Sequence, residues 1–182
     1  ESLIRIHVAY CLFTPSKPSF EEPYQSLLQN MDRRIAELVE FLDDHPDDWQ
    51  AWRKLANLYS QKEQFRKAID ALEKAYEKAP DKATQYTILN EIAKLADWAG
   101  MEKKALQSVE MARLIQPNKP QAYNTRGNIH RRRARYKKAA SDYTKAQKLN
   151  PKDPDAYYNK AKLYTMQKQH RRSIAEAKRS WT

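Results

Sequence analysis

Apolar residues recur at spacings of three and four along most of the chain, the period of one face of an α-helix. The first stripe is Tyr24, Leu27, Leu28, Met31, Ile35, Leu38, Val39 and Leu42; with Pro23 at its start, it predicts one amphipathic helix over about residues 22 to 44. Later stripes carry small residues seven apart: Ala68/Ala75, Ala105/Ala112, Ala139/Ala146 and Ser173/Ser180. Residues seven apart share a helical face, and small side chains there let a second helix approach closely. Prolines arrive on the same beat at Pro46, Pro80, Pro117 and Pro151, separated by 34, 37 and 34 residues. A proline just past a helix stops it before the next unit begins. Helix pairs repeated at this period predict a solenoid.

The three extra residues between Pro80 and Pro117 fall in 81–86, and Thr84, Ile88, Ile92 and Leu95 continue a helical stripe through them. The first helix of that unit is therefore expected to start about one turn early. The opening segment is ambiguous. Ile4, Ile6, Val8, Tyr10 and Leu12 alternate like a strand, while Leu3, Ile6, Tyr10 and Phe13 also fit a helix. Residues 14–19, with Pro15 and Pro18, break any regular element and read as a linker.

Outward from the small pairs, Trp52, Leu55, Ala56 and Tyr59, then Ala68, Leu72, Ala75 and Pro80, stand at the spacings of a full tetratricopeptide repeat. A second unit runs through Leu89, Ile92, Ala93 and Ala96 to Ala105, Val109, Ala112 and Pro117. The third has Tyr123, Gly127 and His130 with Ala139, Tyr143, Ala146 and Pro151, but puts Arg126 where an apolar residue is usual. The fourth has Tyr157, Ala161 and Tyr164 with Ser173, Ala177 and Ser180. The chain thus resembles the tetratricopeptide repeat family. That resemblance implies an all-α, right-handed superhelical solenoid of antiparallel helix pairs. Residues 1–20 are an irregular or extended segment, 21–45 a capping helix, and 46–182 about four repeats near 49–82, 83–119, 120–153 and 154–182, the last truncated.

In this family the first helix of each repeat lines a concave groove, so the resemblance implies peptide contacts at Arg53, Asn57, Asn90, Lys94, Asn124, Asn128, Tyr158, Asn159 and Lys162. Asparagine amides both donate and accept, and a row of them can hold the backbone of an extended peptide whatever its side chains. Some members clamp the terminal carboxylate of heat-shock chaperones. Here Arg53 and Asn57 match that clamp, but Glu91, Gln121 and Thr125 stand where its remaining Asn and basic residues belong. A later register recovers Asn128 and Asn159, with Asn124 in place of a Lys, and then the chain ends.

Charge changes this picture in one half only. Residues 1–100 hold 13 Lys/Arg against 17 Asp/Glu, a net of −4, while residues 101–182 hold 21 against 6, a net of +15. The densest run, His130 to Lys138, includes Arg131, Arg132, Arg133, Arg135, Lys137 and Lys138 at the turn of the third repeat. The fourth repeat's turn carries Lys168, His170, Arg171 and Arg172. Equivalent turns line up along one edge of a solenoid, which predicts a basic ridge. Such a ridge attracts an acidic protein segment, with RNA phosphate as the alternative partner, an anionic membrane surface as a third, and a merely solvated edge as the plain reading. Tyr136 is the one aromatic in the run, too few for a base-stacking platform.

The chain has 182 residues, 2 Gly and 31% charged residues, the composition of a soluble, nearly all-helical body. Its longest apolar run, Val8 to Phe13, is too short to span a membrane, and the opening residues lack the form of a secretory signal. Lone Cys11 is compatible with a reducing compartment such as the cytoplasm, and the missing initiator Met with an excerpt or a processed chain. No phosphate loop, paired-Cys spacing, His-Glu-x-x-His or nucleophile elbow is present, so neither catalysis nor a cofactor is expected. Asp43, Asp44, His45, Asp47 and Asp48 around Pro46 read as helix punctuation rather than a metal site. His130, in place of a consensus Tyr, is expected half-buried. The fourth repeat leaves an outer face that Trp181, a continuation of the chain, a partner or a second copy would cover.

Overall fold

The computed structural model describes residues 21–179, with side chains from residue 25 onward. The expectations for residues 1–20 and for Trp181 as a cap fall outside the described residues.

A long first helix, α1 (Glu21–Asp44), precedes four antiparallel pairs. The pairs are α2 (Trp49–Gln61) with α3 (Phe65–Glu77), α4 (Lys82–Trp98) with α5 (Glu102–Ile115), α6 (Pro120–Arg132) with α7 (Tyr136–Leu149), and α8 (Pro154–Met166) with α9 (His170–Arg179). Each helix packs on the next in sequence, and α4 on α6 and α6 on α8 as well. This is the superhelical solenoid of the sequence reading, and α1 closes its first repeat through Met31, Leu42 and an ion pair from Lys62 to Asp32.

Local chemistry sets the boundaries. Asp48 accepts from the Gln50 and Ala51 N–H groups, both at 2.9 Å, and Asp81 accepts from that of Thr84 at 2.8 Å. The Asp81 cap starts α4 at Lys82 and makes it 17 residues long against 13 for α2, the extra turn expected from the insertion. Lys119 supplies no side-chain cap to α6; Pro120 occupies its first turn, and the Ala122 N–H donates to Tyr86 Oη at 3.1 Å from the previous repeat. The insertion therefore helps to seat the next repeat.

Every pair turns through three residues, and the middle one, Glu63, Gly100, Ala134 or Lys168, has φ between 55° and 76°. In each turn the N–H after that residue bonds back to a carbonyl in the last turn of the preceding helix, for example Gln64 N to Tyr59 O at 2.9 Å and Arg135 N to His130 O at 2.9 Å. Only Gly100 adopts this left-handed conformation without steric cost.

The paired alanines at 68, 75, 105, 112, 139 and 146 are all 0% exposed, so the small-residue beat is the seam between helices. A second register crosses each pair: Ala56 with Leu72, Ala93 with Val109, Gly127 with Tyr143 and Ala161 with Ala177, always sixteen apart. Only at Gly127 is the opposing residue an aromatic, and there the Tyr143 ring fills the space that a Cβ would take, its Cε1 lying 2.5 Å from that position. The apolar core runs without a break from Leu42 to Ala122 and Ile129, then divides into two small clusters around Tyr123 and Tyr143.

Candidate functional site: a concave pocket and a clasped basic edge

On the concave side, α2 and α4 are joined by a fork between Arg53 and Glu91. Arg53 Nε donates to Glu91 Oε2 at 2.9 Å and its Nη2 to Oε1. This hydrogen-bonded carboxylate is the first cause that raises the Arg53 pKa above its ordinary value. Around the fork opens a pocket of about 570 Å³, walled by Trp49, Ala56, Leu72, Leu95 and Trp98 and edged by Gln50, Lys54, Asn57, Ser60 and Lys94. Lys54 and Lys94 form no ion pair among the described residues. Trp98 is 52% exposed although Phe65 lies 6.3 Å from it and the Arg132 guanidinium 5.8 Å over its ring. Lys54 and Asn57 also line a smaller hollow of about 260 Å³ that reaches Arg34, Glu37 and Leu38 of α1, so the concave path continues onto the capping helix.

Two of the five expected groove asparagines are buried. Asn90 is 1% exposed and donates to the Tyr86 carbonyl of its own helix at 2.8 Å, and Asn124 is 7% exposed. The physical reason is packing: α4 lies on α6 and α6 on α8 along this side, and their approach covers the positions that Asn90 and Asn124 hold. Asn128 is half-buried and accepts from Tyr143 Oη at 2.8 Å. Arg53, Asn57, Lys94, Tyr158, Asn159 and Lys162 are likewise exposed or half-buried, so of the predicted groove residues only Asn90 and Asn124 are covered.

The basic run is also rearranged by its neighbours. Asp97, buried at the end of α4, pairs with Arg132 at 3.2 Å and with Arg133 at 2.7 Å, and Glu102 pairs with Arg133 at 3.5 Å and with Arg135. Three of the four predicted ridge arginines of this turn therefore clasp the third repeat to the second instead of presenting free charge. The fourth, Arg131, donates toward Met166 Sδ at 3.5 Å. Lys137, Lys138, Lys168 and Arg171 form no ion pair among the described residues, while Arg172 lies 5.9 Å over the Tyr164 ring.

Arg126, the departure from the repeat pattern, sits in a second cluster at the same junction. It pairs with buried Asp142 at 2.6 Å and with Glu110 at 3.0 Å, and Glu110 also takes Arg113 at 2.6 Å. The Arg113 and Arg126 guanidinium groups lie over the Tyr123 ring, at 4.8 and 5.9 Å. Burial opposes ionisation of Glu110, but Arg113 and Arg126 hold its carboxyl below its ordinary value. His130, expected half-buried, is 9% exposed. Burial holds its imidazole below the usual pKa; Asp142, 4.0 Å away, opposes this, and Arg126, Lys138 and Arg135 reinforce it.

Sequence reading missed Trp49 as a pocket wall, Glu91 as the group that occupies Arg53, and Asp97 and Glu102 as ridge partners. Glu91 is visible in the sequence as a misfit in the clamp pattern; the acids that hold the ridge lie 31 to 36 residues upstream of their arginines and give no local signal.

Among the described residues no helix is long and apolar enough to cross a membrane. Family models described as "Tetratricopeptide repeat" and "TPR repeat" match residues 49–82 and 127–168. No curated protein matches the chain. Among solved structures, MamA is similar with 17% identity and a TM-score of 0.66 over 87% of this chain and 91% of that one. YrrB, described as a TPR protein with an unusual peptide-binding site, has 18% identity and a TM-score of 0.58 over 87% and 80%. TTC0263, a thermophilic TPR protein of Thermus thermophilus, has 18% identity and a TM-score of 0.63 over 84% and 82%.

Proposed function

Because the chain carries tetratricopeptide repeats, we propose that it is a non-enzymatic protein-interaction scaffold whose concave face holds an extended or helical segment of another protein. The observation that carries this reading is the 570 Å³ concave pocket between the first helices of adjacent repeats, a volume typical of specific binding sites, with apolar walls and a few polar groups at its edge. Similarity to YrrB, whose description names a peptide-binding site, adds support at the level of the fold. The unpaired cations Lys137, Lys138, Lys168 and Arg171 form an edge that steers an acidic partner toward this face. RNA contact, the alternative, is less favoured because Asp97 and Glu102 engage Arg132, Arg133 and Arg135 and cancel two of their three charges.

Affinity capture from the native extract, with and without nuclease and at low and high salt, tests the reading. A nuclease-resistant protein partner is expected, lost when Asn57 and Trp98 are changed to Ala and recovered more slowly when Lys137 and Lys138 are neutralised. A complex that disappears with nuclease and depends on Lys137 and Lys138 alone would transfer the function to RNA binding.

A further inference from the structure

The pocket between α2 and α4 has a chemistry more specific than a peptide groove. Its lining includes two tryptophans, Trp49 at the start of α2 and Trp98 at the end of α4, with Leu95 one turn before Trp98. The edge carries three cations and one anion: Arg53, Lys54 and Lys94 against Glu91. Arg53 is engaged, its Nε and Nη2 both donating to Glu91, which also offsets its charge. Net attraction for an anion therefore resides in two lysines on different helices. Lysines are compact point charges without the fork that fixes a carboxylate in one orientation. They suit side-chain carboxylates near an anchor, whereas capture of a chain terminus needs converging, oriented donors, and here the one guanidinium fork facing Glu91 is already engaged.

Building on the scaffold reading, we propose that this pocket binds an internal acidic segment of a partner protein lying along α2 and α4, seating one bulky apolar side chain on exposed Trp98 while neighbouring carboxylates meet Lys94 and Lys54. Glu91 acts as a built-in competitor, holding Arg53 in the arrangement that a ligand carboxylate would otherwise occupy.

The test uses the intact chain and a fluorescein-labelled peptide with the core Glu-Glu-Leu-Phe-Glu-Glu, followed by anisotropy. Binding is expected, with equal affinity for amidated and free-acid C-termini. Replacing the peptide's Leu-Phe by Ser-Ser, or the protein's Trp98 by Ala, weakens it about tenfold. Lys94→Glu weakens it by at least as much, and the loss is smaller at high salt. Glu91→Gln releases Arg53 and tightens binding several-fold. Circular dichroism melts check that Trp98→Ala folds; Lys94→Glu and Glu91→Gln, at exposed and half-exposed positions, keep the test decisive if it does not. Absence of binding, or a Glu91→Gln variant that binds no tighter while Ser-Ser peptide binds equally well, overturns the proposal. Binding that ignores Trp98 and Lys94 but falls with Tyr158→Ala or Lys162→Glu also overturns it and leaves the scaffold reading standing; loss of any protein partner in the capture experiment would defeat that reading itself.

Discussion

Placing a methyl group on Gly127 pits two opposing effects against each other. An ideal Cβ there lies 2.5 Å from Tyr143 Cε1, 2.8 Å from Cδ1 and 3.1 Å from Cζ, well inside van der Waals contact with a rigid ring. Tyr143 is 0% exposed and its hydroxyl donates to Asn128 at 2.8 Å, so retreat of the ring costs packing and a hydrogen bond together. Overpacking of this kind costs about 1–3 kcal/mol, and an overlap of this depth belongs near the upper end. Replacing a mid-helix glycine by alanine returns about 1 kcal/mol of helix propensity. The balance is a destabilisation of about 2 kcal/mol, a fall in Tm of about 4–8 °C for a protein of this size. Urea and thermal melts followed by circular dichroism measure it. Pairing the change with Tyr143→Leu copies the Ala56 and Leu72 pairing of the first repeat, and the double variant should be more stable than the sum of the single changes predicts by about 1–2 kcal/mol. A Gly127→Ala variant about 1 kcal/mol more stable than the parent would mean that helix propensity decides, and would refute the steric argument.

Ala134 has φ of 55°, so Ala134→Gly relieves left-handed strain and is expected to raise stability by about 0.5–1 kcal/mol in the same melts. Asp97→Asn leaves Arg132 and Arg133 without their shared carboxylate; because both arginines are partly exposed, a loss of about 1–3 kcal/mol is expected, with stronger retention on a cation exchanger beyond that of one removed charge. His130 is held below its unfolded pKa of about 6.5, so its contribution is complete above that pH and is lost as pH falls through the lower folded value. His130→Tyr should therefore flatten the decline in urea midpoint between about pH 7 and about pH 5, and an unchanged slope would assign the decline to other groups.

The parts legible in the sequence are those with a short-range cause. Alanines seven apart mark the seams, Asp81 with Thr84 marks the early start of α4, and Asp48 marks the cap of α2, because each signal sits within a turn of its effect. Site residues follow the register less well. Asn57 and Asn90 look alike as polar positions on first helices, yet Asn90 is covered where α4 meets α6 and Asn57 faces the opening beside α2. Likewise Arg132, Arg133 and Arg135 read as free charge until the superhelix brings Asp97 and Glu102 alongside them. Burial and pairing of this kind depend on the neighbouring repeat, whose approach no local pattern records. The left-handed turns at Glu63, Ala134 and Lys168 are hidden for another reason: three residues that disfavour this conformation occupy it because the return bond to the preceding helix and the packed helices outweigh the strain.

The division of the core has a mechanical consequence. From α1 through Ala122 and Ile129 of α6 the apolar interior is continuous, whereas the rest of the third and fourth repeats rests on small clusters, and the third is also fastened to the second by the Asp97, Glu102 and Glu110 ion pairs. Under tension, or in salt that screens those pairs, the molecule should yield first at the joint between α6 and α7, with amide exchange rising beyond it before the earlier repeats open. The tryptophan pocket lies on the stiff side of that joint. A partner seated there would be held by a rigid jaw while the basic arm beyond the joint changes its angle, so one scaffold could accept acidic segments of different lengths without remodelling its anchor.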